Sequence, residues 1–548
     1  MIDPAGPVAL RADVHPGGAA GRVLAELYRR WLIPAALVLG AVLRAREWLH
    51  GKSLWLDELT VTQNLVGRGF RGLLQPLAGD QGGPIGWLWA ERAAIKVFGV
   101  HELSLRLVPF LGSLVALALF PFVARRLTGP LAAPAATFLI ATSPALIYYA
   151  AEIKQYSTDT AAALAAVAIT CWTVDRRLTV GRSLGWGLCC GALAWCSQPS
   201  ILVAAGCGVW LAARRCRDGR SVGVILAGGA VLAVIVAADW WVSLRRLGDN
   251  QVLQNYWQGF GGYPPVGAGA GGQLHWVQTA GLTFGRQIGH LSLPTLGVLL
   301  GLWGVLSLAR LRPWAALLLA VIFLVAIGAA VSRQYPLAQR LALYLLAPAV
   351  LAVTAALDEG SSRHRWALRR PWGAVVALVT AGVLIVVAAP AVRLGLRTLA
   401  VPDETTAGRQ AIAFVAEHRR PADLVLTDIW AQSAFAFYGP RLQVTPNGLV
   451  SFQPAGSPSC AVDPFRSLAG RSRVWLVLAH QPSTQPTRTP VYRSEFATVG
   501  SEVASFHGAG DAGAYLFDLT RPPGVAPPVV PPAWSKGGCF AIRLTPGG

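Results

Sequence analysis

Long apolar runs separated by short, Arg-rich polar segments dominate the chain from residue 31 to residue 391. A helix crossing a bilayer core needs about 20 apolar residues. Runs of that order fall near 31–49, 103–123, 131–149, 157–174, 184–197, 200–213, 222–243, 291–309, 314–331, 341–357 and 372–391. The pattern predicts a mainly α, polytopic membrane bundle of about eleven transmembrane helices. The fifth and sixth runs are short. Arg176, Arg177 and Arg182 precede them and Arg214, Arg215, Arg217 and Arg220 follow, so they read as an out-and-back pair. Those clusters fall on the same side as Arg29/Arg30, Arg125/Arg126, Arg310/Arg312 and Arg363/Arg365/Arg369/Arg370, which the positive-inside rule makes cytoplasmic. The N-terminal tail, residues 1–30, is then inside. It is polar, Gly-rich and basic, with no cleavable signal peptide, so the first span serves as its own signal.

The bundle, residues 31–391, is interrupted by two longer loops, 50–102 and 244–290, both on the outer side, as is the terminal region 392–548. Within the first loop, "GGPIGWLWAERAAIKVFG" mixes apolar residues with Glu91, Arg92 and Lys96. It is too polar to span and reads as a helix lying in the membrane interface. The second loop carries "GFGGYPPVGAGAGG", which sustains neither a helix nor a central strand and reads as a mobile lid or a flexible connector. Beyond Val401, "GRQAIAFVAEHRR" has helical spacing, and "DLVLTD", "RVWLVLA", "GAYLFDL" and "CFAIRL" read as strands. A small extracytoplasmic α/β domain is expected, with the Pro-rich "RPPGVAPPVVPPAW" as an extended arm over it or over the membrane face.

Composition agrees: 54% of residues are hydrophobic and 14% charged, against about 25% charged in soluble domains. The net charge of +20 is dispersed in short runs between apolar segments, as topology signals are, so no nucleic-acid partner is expected. Arg outnumbers Lys and Ala, Gly and Pro abound, which suits a GC-rich bacterial genome and the bacterial plasma membrane. Cys171, Cys189, Cys190, Cys196, Cys207 and Cys216 lie in or beside apolar runs without metal-like spacing. Cys460 and Cys539 are the two thiols of the outside domain, and an oxidising compartment favours a disulfide between them.

The chemistry concentrates at the outer ends of the spans. "SLWLDELT" presents Asp57 and Glu58 shortly after the first span, behind Trp48 and Trp55. By spacing alone they are a solvated loop pair. "YYAAEIKQYSTD" adds Glu152, Lys154 and Tyr156, "HELSLRLVPFLG" adds Glu102 and Arg106, and "YPLAQRLALYLLAP" adds Arg340. Each alone is a snorkelling anchor, and together they are able to build one site for an anionic ligand. Tyr156 reads first as an interfacial belt residue, with substrate binding as its other reading.

The ordered set "LRAREWLHGKSLWLDE", "GDQGGPIGWLWAERAAIKVFG", "HELSLRLVPFLGSL" and "AEIKQYSTD" resembles the GT-C membrane glycosyltransferases of the protein-mannosyltransferase and aminoarabinose-transferase type, over roughly residues 30–360. The resemblance implies transfer of a sugar from a polyprenyl-phosphate donor to an acceptor on the outer membrane face. It makes the Asp57/Glu58 pair the source of the catalytic base and puts the "AEIKQY" segment near the lipid phosphate. Gly83-Pro84 stands where the family pattern usually has a Pro pair. Lys154 often stands as Arg, which loses the bidentate fork but keeps the charge. Residues 400–548 match no motif of the family.

Chemistry supports the same assignment. The leaving group is already a stable phosphate monoester, so one base suffices and the reaction inverts the anomeric centre. Asp57 would be that base, with Glu58 and Glu152 orienting and either able to exchange roles with it. Lys154, with Arg340 or Arg106, would hold the phosphate. No metal and no cofactor beyond the lipid-linked donor is expected. The partners expected are that donor, membrane lipids and an unspecified acceptor. The rival readings are a transporter or flippase, against which no internal repeat is visible, and a non-catalytic envelope-assembly protein. The discriminating feature is whether Asp57, Glu152 and Lys154 line one cavity.

Overall fold

The structure, a computed structural model, describes residues 19–215, 219–245, 250–361, 370–453, 464–479, 488–520 and 539–545. Helices follow the apolar runs: α1 Ala19–Leu49, then in the first loop α2 Leu56–Gly67, α3 Ile85–Phe98 and α4 Glu102–Leu105. The bundle continues with α5 Leu107–Leu127, α6 Ala132–Ala141, α7 Pro144–Tyr148, α8 Tyr156–Val174, α9 Val180–Cys196, α10 Gln198–Arg215 and α11 Gly219–Asp239.

Every predicted span coincides with helix, but the number able to cross a membrane differs from eleven. Among the described residues, seven helices are long and apolar enough by length and composition, or up to eight if the bent pair α6–α7 is one span. The shortfall has visible causes. Helix α9 has 17 residues, and α1 carries Arg44, Arg46 and Glu47 in its last turns. The α6–α7 pair bends by 47° where Pro144 lacks an N–H to continue the ladder. Arg44 fills the gap: its guanidinium donates to Ile140 O at 3.1 Å, Ala141 O at 2.9 Å and Ser113 Oγ at 2.8 Å, tying α1, α5 and α6 together. Small residues bring other helices close. Gly187 of α9 lies against Gly228 of α11, where a Cβ would collide with backbone.

The second loop is not a plain connector. Asn250 accepts from Leu253 N–H at 3.0 Å and starts α12 Gln251–Gly259, and α13 Ala270–Gln287 follows. The Gly- and Pro-rich stretch 259–272 makes the turn between them, but its last residues, Ala270, Gly271 and Gly272, form the first turn of α13, where no helix was expected. Then come α14 Pro294–Leu311, α15 Pro313–Val331, a 3-10 stretch Gln339–Leu345, α16 Leu346–Ala355 and α17 Arg370–Arg397.

The C-terminal region holds α18 Gly408–His418, β1 Leu424–Asp428, α19 Gln432–Leu442, β2 Gly448–Gln453, β3 Val474–Leu478, α20 Arg488–Ala497, β4 Ser501–His507, β5 Gly513–Asp518 and β6 Cys539–Leu544. The six strands form one mixed sheet in the order β4-β5-β3-β1-β2-β6, parallel at β3-β1-β2 and antiparallel elsewhere. Strands β1, β3, β5 and β6 are those read from the sequence; β2 and β4 were not. One sheet face has its own core around Leu426, Leu476, Phe496 and Phe517. The other shares a core with the first loop, in which Leu54, Leu59 and Leu65 pack with Phe435, Tyr438 and Trp475. The Pro-rich stretch 521–534, Cys216 and Cys460 lie outside the described residues. Cys539 is disulfide-bonded, and Cys171, Cys189, Cys190, Cys196 and Cys207 are free.

Candidate functional site

A cavity of about 630 Å³ opens where α2, the 79–82 turn, the start of α8, α12 and the 333–341 segment converge. Asp57, Lys154, Tyr156 and Arg340 line it. Trp55 caps α2, leaving Asp57 in its first turn, where the helix dipole favours a carboxylate. Asp57 Oδ2 accepts from Arg340 Nη2 at 2.7 Å and lies 3.9 Å from Lys154 Nζ, with 24% of its side chain exposed. Lys154 Nζ also donates to Gln81 Oε1 at 2.7 Å. The Arg340 guanidinium sits among the rings of Trp55, Tyr156 and Trp257 at 5.7, 5.9 and 5.6 Å, where cation–π attraction fixes it. Its Nε is buried and has no hydrogen-bond partner among the described residues. Burial pushes the Lys154 ammonium down to about 8 against the pull of Asp57, and Arg340 adds to the depression.

Glu58, Glu152 and Arg106 do not line this cavity; they form a buried network beneath it. Glu58 accepts both prongs of Arg106, at 2.9 Å from Nε and 2.6 Å from Nη2, and the N–H of Ile153 at 2.9 Å. It also accepts from Trp55 N–H at 3.3 Å. Glu58 is therefore occupied as a tie between α2, the α4–α5 corner and the 152–155 segment, and is not placed to orient a sugar. The remaining Arg106 donors go to Lys52 O at 2.7 Å and Ser53 O at 3.3 Å, so Arg106 is not placed to hold a phosphate. Alternation along "LDE" on a helix explains the split: Asp57 and Glu58 are about 100° apart and face different surroundings.

Glu152 accepts from Trp55 Nε1 at 2.6 Å and pairs with Lys52 Nζ at 3.1 Å. Burial raises its carboxyl above the usual range, helped by Glu58 and opposed by Lys52 and Arg106. Lys52, which the sequence reading passed over, also pairs with Glu47 at 3.4 Å and lies 3.9 Å from the Tyr148 ring centroid. Burial works against its charge, but Glu152 and Glu47 outweigh that and raise its pKa. Other cavity residues missed from the sequence are Gln81, Gln155, Trp257, Tyr335 and Arg333, the last donating to Gln258 Oε1 at 3.0 Å. Arg333 and Tyr335 stood in "SRQYP", just before Arg340, where charge density was the available signal.

Asp57 between Lys154 and Arg340, with Asp80 and Arg333 also on the wall of the cavity and Asp80 accepting from Asn250 Nδ2 at 3.1 Å, defines a membrane protein with a site for an anionic ligand that is partly apolar. Residues 82–242 match the family described as dolichyl-phosphate-mannose-protein mannosyltransferase, within the GT-C glycosyltransferases that the first loop and "AEIKQY" resemble. No curated protein matches the chain. Among solved structures, the chain is similar to the Archaeoglobus fulgidus oligosaccharyltransferase in complex with Zn and sulfate, at 13% identity over 75% of this chain and 62% of that one, TM-score 0.46. It thus spans less than two thirds of that protein's length. It is also similar to ArnT from Cupriavidus metallidurans bound to undecaprenyl phosphate, at 14% identity over 91% and 98% of the two chains, TM-score 0.47. A third similarity is to the arabinofuranosyltransferase AftD from Mycobacteria, at 14% identity over 90% and 40%, TM-score 0.45.

Proposed function

We propose that the protein is an inverting glycosyltransferase that moves a sugar from a polyprenyl-phosphate donor to an acceptor hydroxyl. The reaction takes place on the outer face of the bacterial cytoplasmic membrane, with the N-terminus cytoplasmic and the sheet domain outside. The observation that carries this reading is that Asp57 and Lys154, two of the three residues whose convergence separates the rival readings, share one cavity with Arg340, while the third, Glu152, lies beneath it. A lipid-linked sugar phosphate is an anion with a hydrocarbon tail. The cations suit the phosphate, and the Ile201, Leu202, Val236 and Leu244 wall suits the tail.

In the free protein Asp57 is the counter-ion of both cations. A donor phosphate competes for them, engaging Lys154 Nζ and Arg340 Nη2, and so releases the Asp57 carboxylate to face the acceptor. The acceptor oxygen attacks the anomeric carbon opposite the phosphate, its proton passes to Asp57, and the carbon–oxygen bond to phosphate breaks. Charge growing on the departing phosphate is met by Lys154 and Arg340. The reaction balances with these groups alone, and no metal or cofactor is invoked. Glu58 and Glu152 act indirectly, by fixing the segments that carry Asp57 and Lys154.

The test is incubation of the purified protein with a panel of polyprenyl-phosphate sugars and candidate acceptors, read by mass spectrometry. A glycosylated product is expected. Movement of donor across vesicles with no product from any combination would mean transport and end this reading.

A further inference from the structure

The segment that carries Asp57 is gripped from two sides. The Glu58–Arg106 pair holds it from the bundle side. From the other side the C-terminal domain reaches in: Leu54 N–H donates to the Tyr438 hydroxyl at 2.8 Å. Ser53 Oγ donates to Gln410 Oε1 at 2.5 Å and accepts from Arg409 N–H at 3.2 Å. Gln410 Nε2 in turn donates to Glu404 at 2.6 Å, which fixes the amide's orientation, and Arg409 pairs with Glu102 at 2.8 Å. Tyr438 is 2% exposed and sits in the core that the domain shares with Leu54, Leu59 and Leu65 of the first loop. A domain that merely hung from the bundle would need none of these contacts.

We propose that the C-terminal domain is a clamp on the catalytic loop and that Tyr438 is a positioning residue for transfer; the transfer itself rests on the function proposed above. Leu54 lies three residues before Asp57, on the turn that enters α2. Holding its N–H sets how far Asp57 stands from Lys154 and Arg340, which are carried by other segments. Without the hydroxyl, the buried Leu54 N–H loses its acceptor and the turn shifts to find another. A displacement of about 1 Å at a reacting group costs up to about 100-fold in rate. Donor affinity, set by the two cations, does not fall, because a displaced Asp57 competes with the phosphate no better than before.

The test uses full-length protein in lipid nanodiscs with two variants. Tyr438→Phe removes the clamp. Tyr515→Phe makes the same chemical change elsewhere in the domain, where the hydroxyl meets His507 Nδ1 at 3.3 Å. Tyr438→Phe should lower kcat about 10- to 100-fold without raising donor KM more than about twofold, and should speed amide exchange in a peptide covering residues 53–56. Tyr515→Phe should do neither. Wild-type kcat in Tyr438→Phe, an equal fall in kcat and donor affinity, an equal loss in Tyr515→Phe, or unchanged exchange at 53–56 would each overturn the clamp. If wild-type protein forms no product from any donor, the proposed function fails by itself. The exchange measurement then decides the clamp alone, unchanged exchange overturning it and faster exchange keeping it.

Discussion

Replacing Asp57 by Asn separates catalysis from binding in a way peculiar to this site. The change keeps size and hydrogen-bonding shape but removes basicity, so kcat should fall by about 10² to 10⁴, or about 2.7 to 5.4 kcal/mol of barrier. Its effect on donor binding has the opposite sign. Asp57 neutralises Arg340 at 2.7 Å and Lys154 at 3.9 Å, and a donor phosphate must compete with it. Two charges 4 Å apart attract by about 4 kcal/mol near a protein surface, but a quarter-exposed carboxylate is screened, and about 1 kcal/mol is a fair residue. Donor affinity should therefore tighten about fivefold in Asp57→Asn. The assay is product formation by mass spectrometry at saturating donor, paired with binding of an unreactive polyprenyl phosphate to the same preparation. Undiminished turnover would remove Asp57 as the base. A fall in donor affinity parallel to the fall in rate would refute the competition between carboxylate and phosphate.

Four further expectations follow, two from the site geometry and two from the sequence. With its ammonium held near 8 by burial, Lys154 carries a charge below that pH and loses it above. Donor binding should fall by up to about tenfold per pH unit above pH 8, with Asp57, Arg340, Glu152 and Glu58 as the charges around it, and should be flat in Lys154→Met. Glu58→Gln takes from the buried Arg106 the carboxylate it pairs with and should cost about 3 to 5 kcal/mol of stability, read as an early melting transition, whereas Asp57→Asn should melt near wild type. Non-reducing peptide mapping should recover Cys460 joined to Cys539, and free thiols at both would refute the pairing; reporter fusions at Gly360 and Gly548 should score cytoplasmic and external, and one compartment for both would sink the proposed orientation.

What the sequence determined by itself was whatever depends on local composition and periodicity. Apolar runs of bilayer length had to be helices, because a chain in lipid must satisfy its backbone internally. The buried strands β1, β3 and β5 announced themselves by short apolar runs, "LVL", "VWLVL" and "AYLF". Strand β4, alternating half-buried and exposed positions in "SEVASFH", and β2, buried only near its start, had no such signature. Likewise α12 and α13 were hidden beside a Gly- and Pro-rich turn that dominated the reading of the whole loop. The type of site was also legible, since charged groups beside lipid are costly and gather where they have work to do. Which charge does which work was decided only by tertiary structure. Asp57 and Glu58 are neighbours in sequence, yet the turn of α2 sends one into the cavity and the other onto Arg106. Arg340 and Arg106 looked equivalent until packing enclosed one with Glu58 and set the other in the cavity beside Asp57. Long-range pairing has no local signal, because it depends on which segments the fold brings together across hundreds of residues, as Leu54 and Tyr438 illustrate.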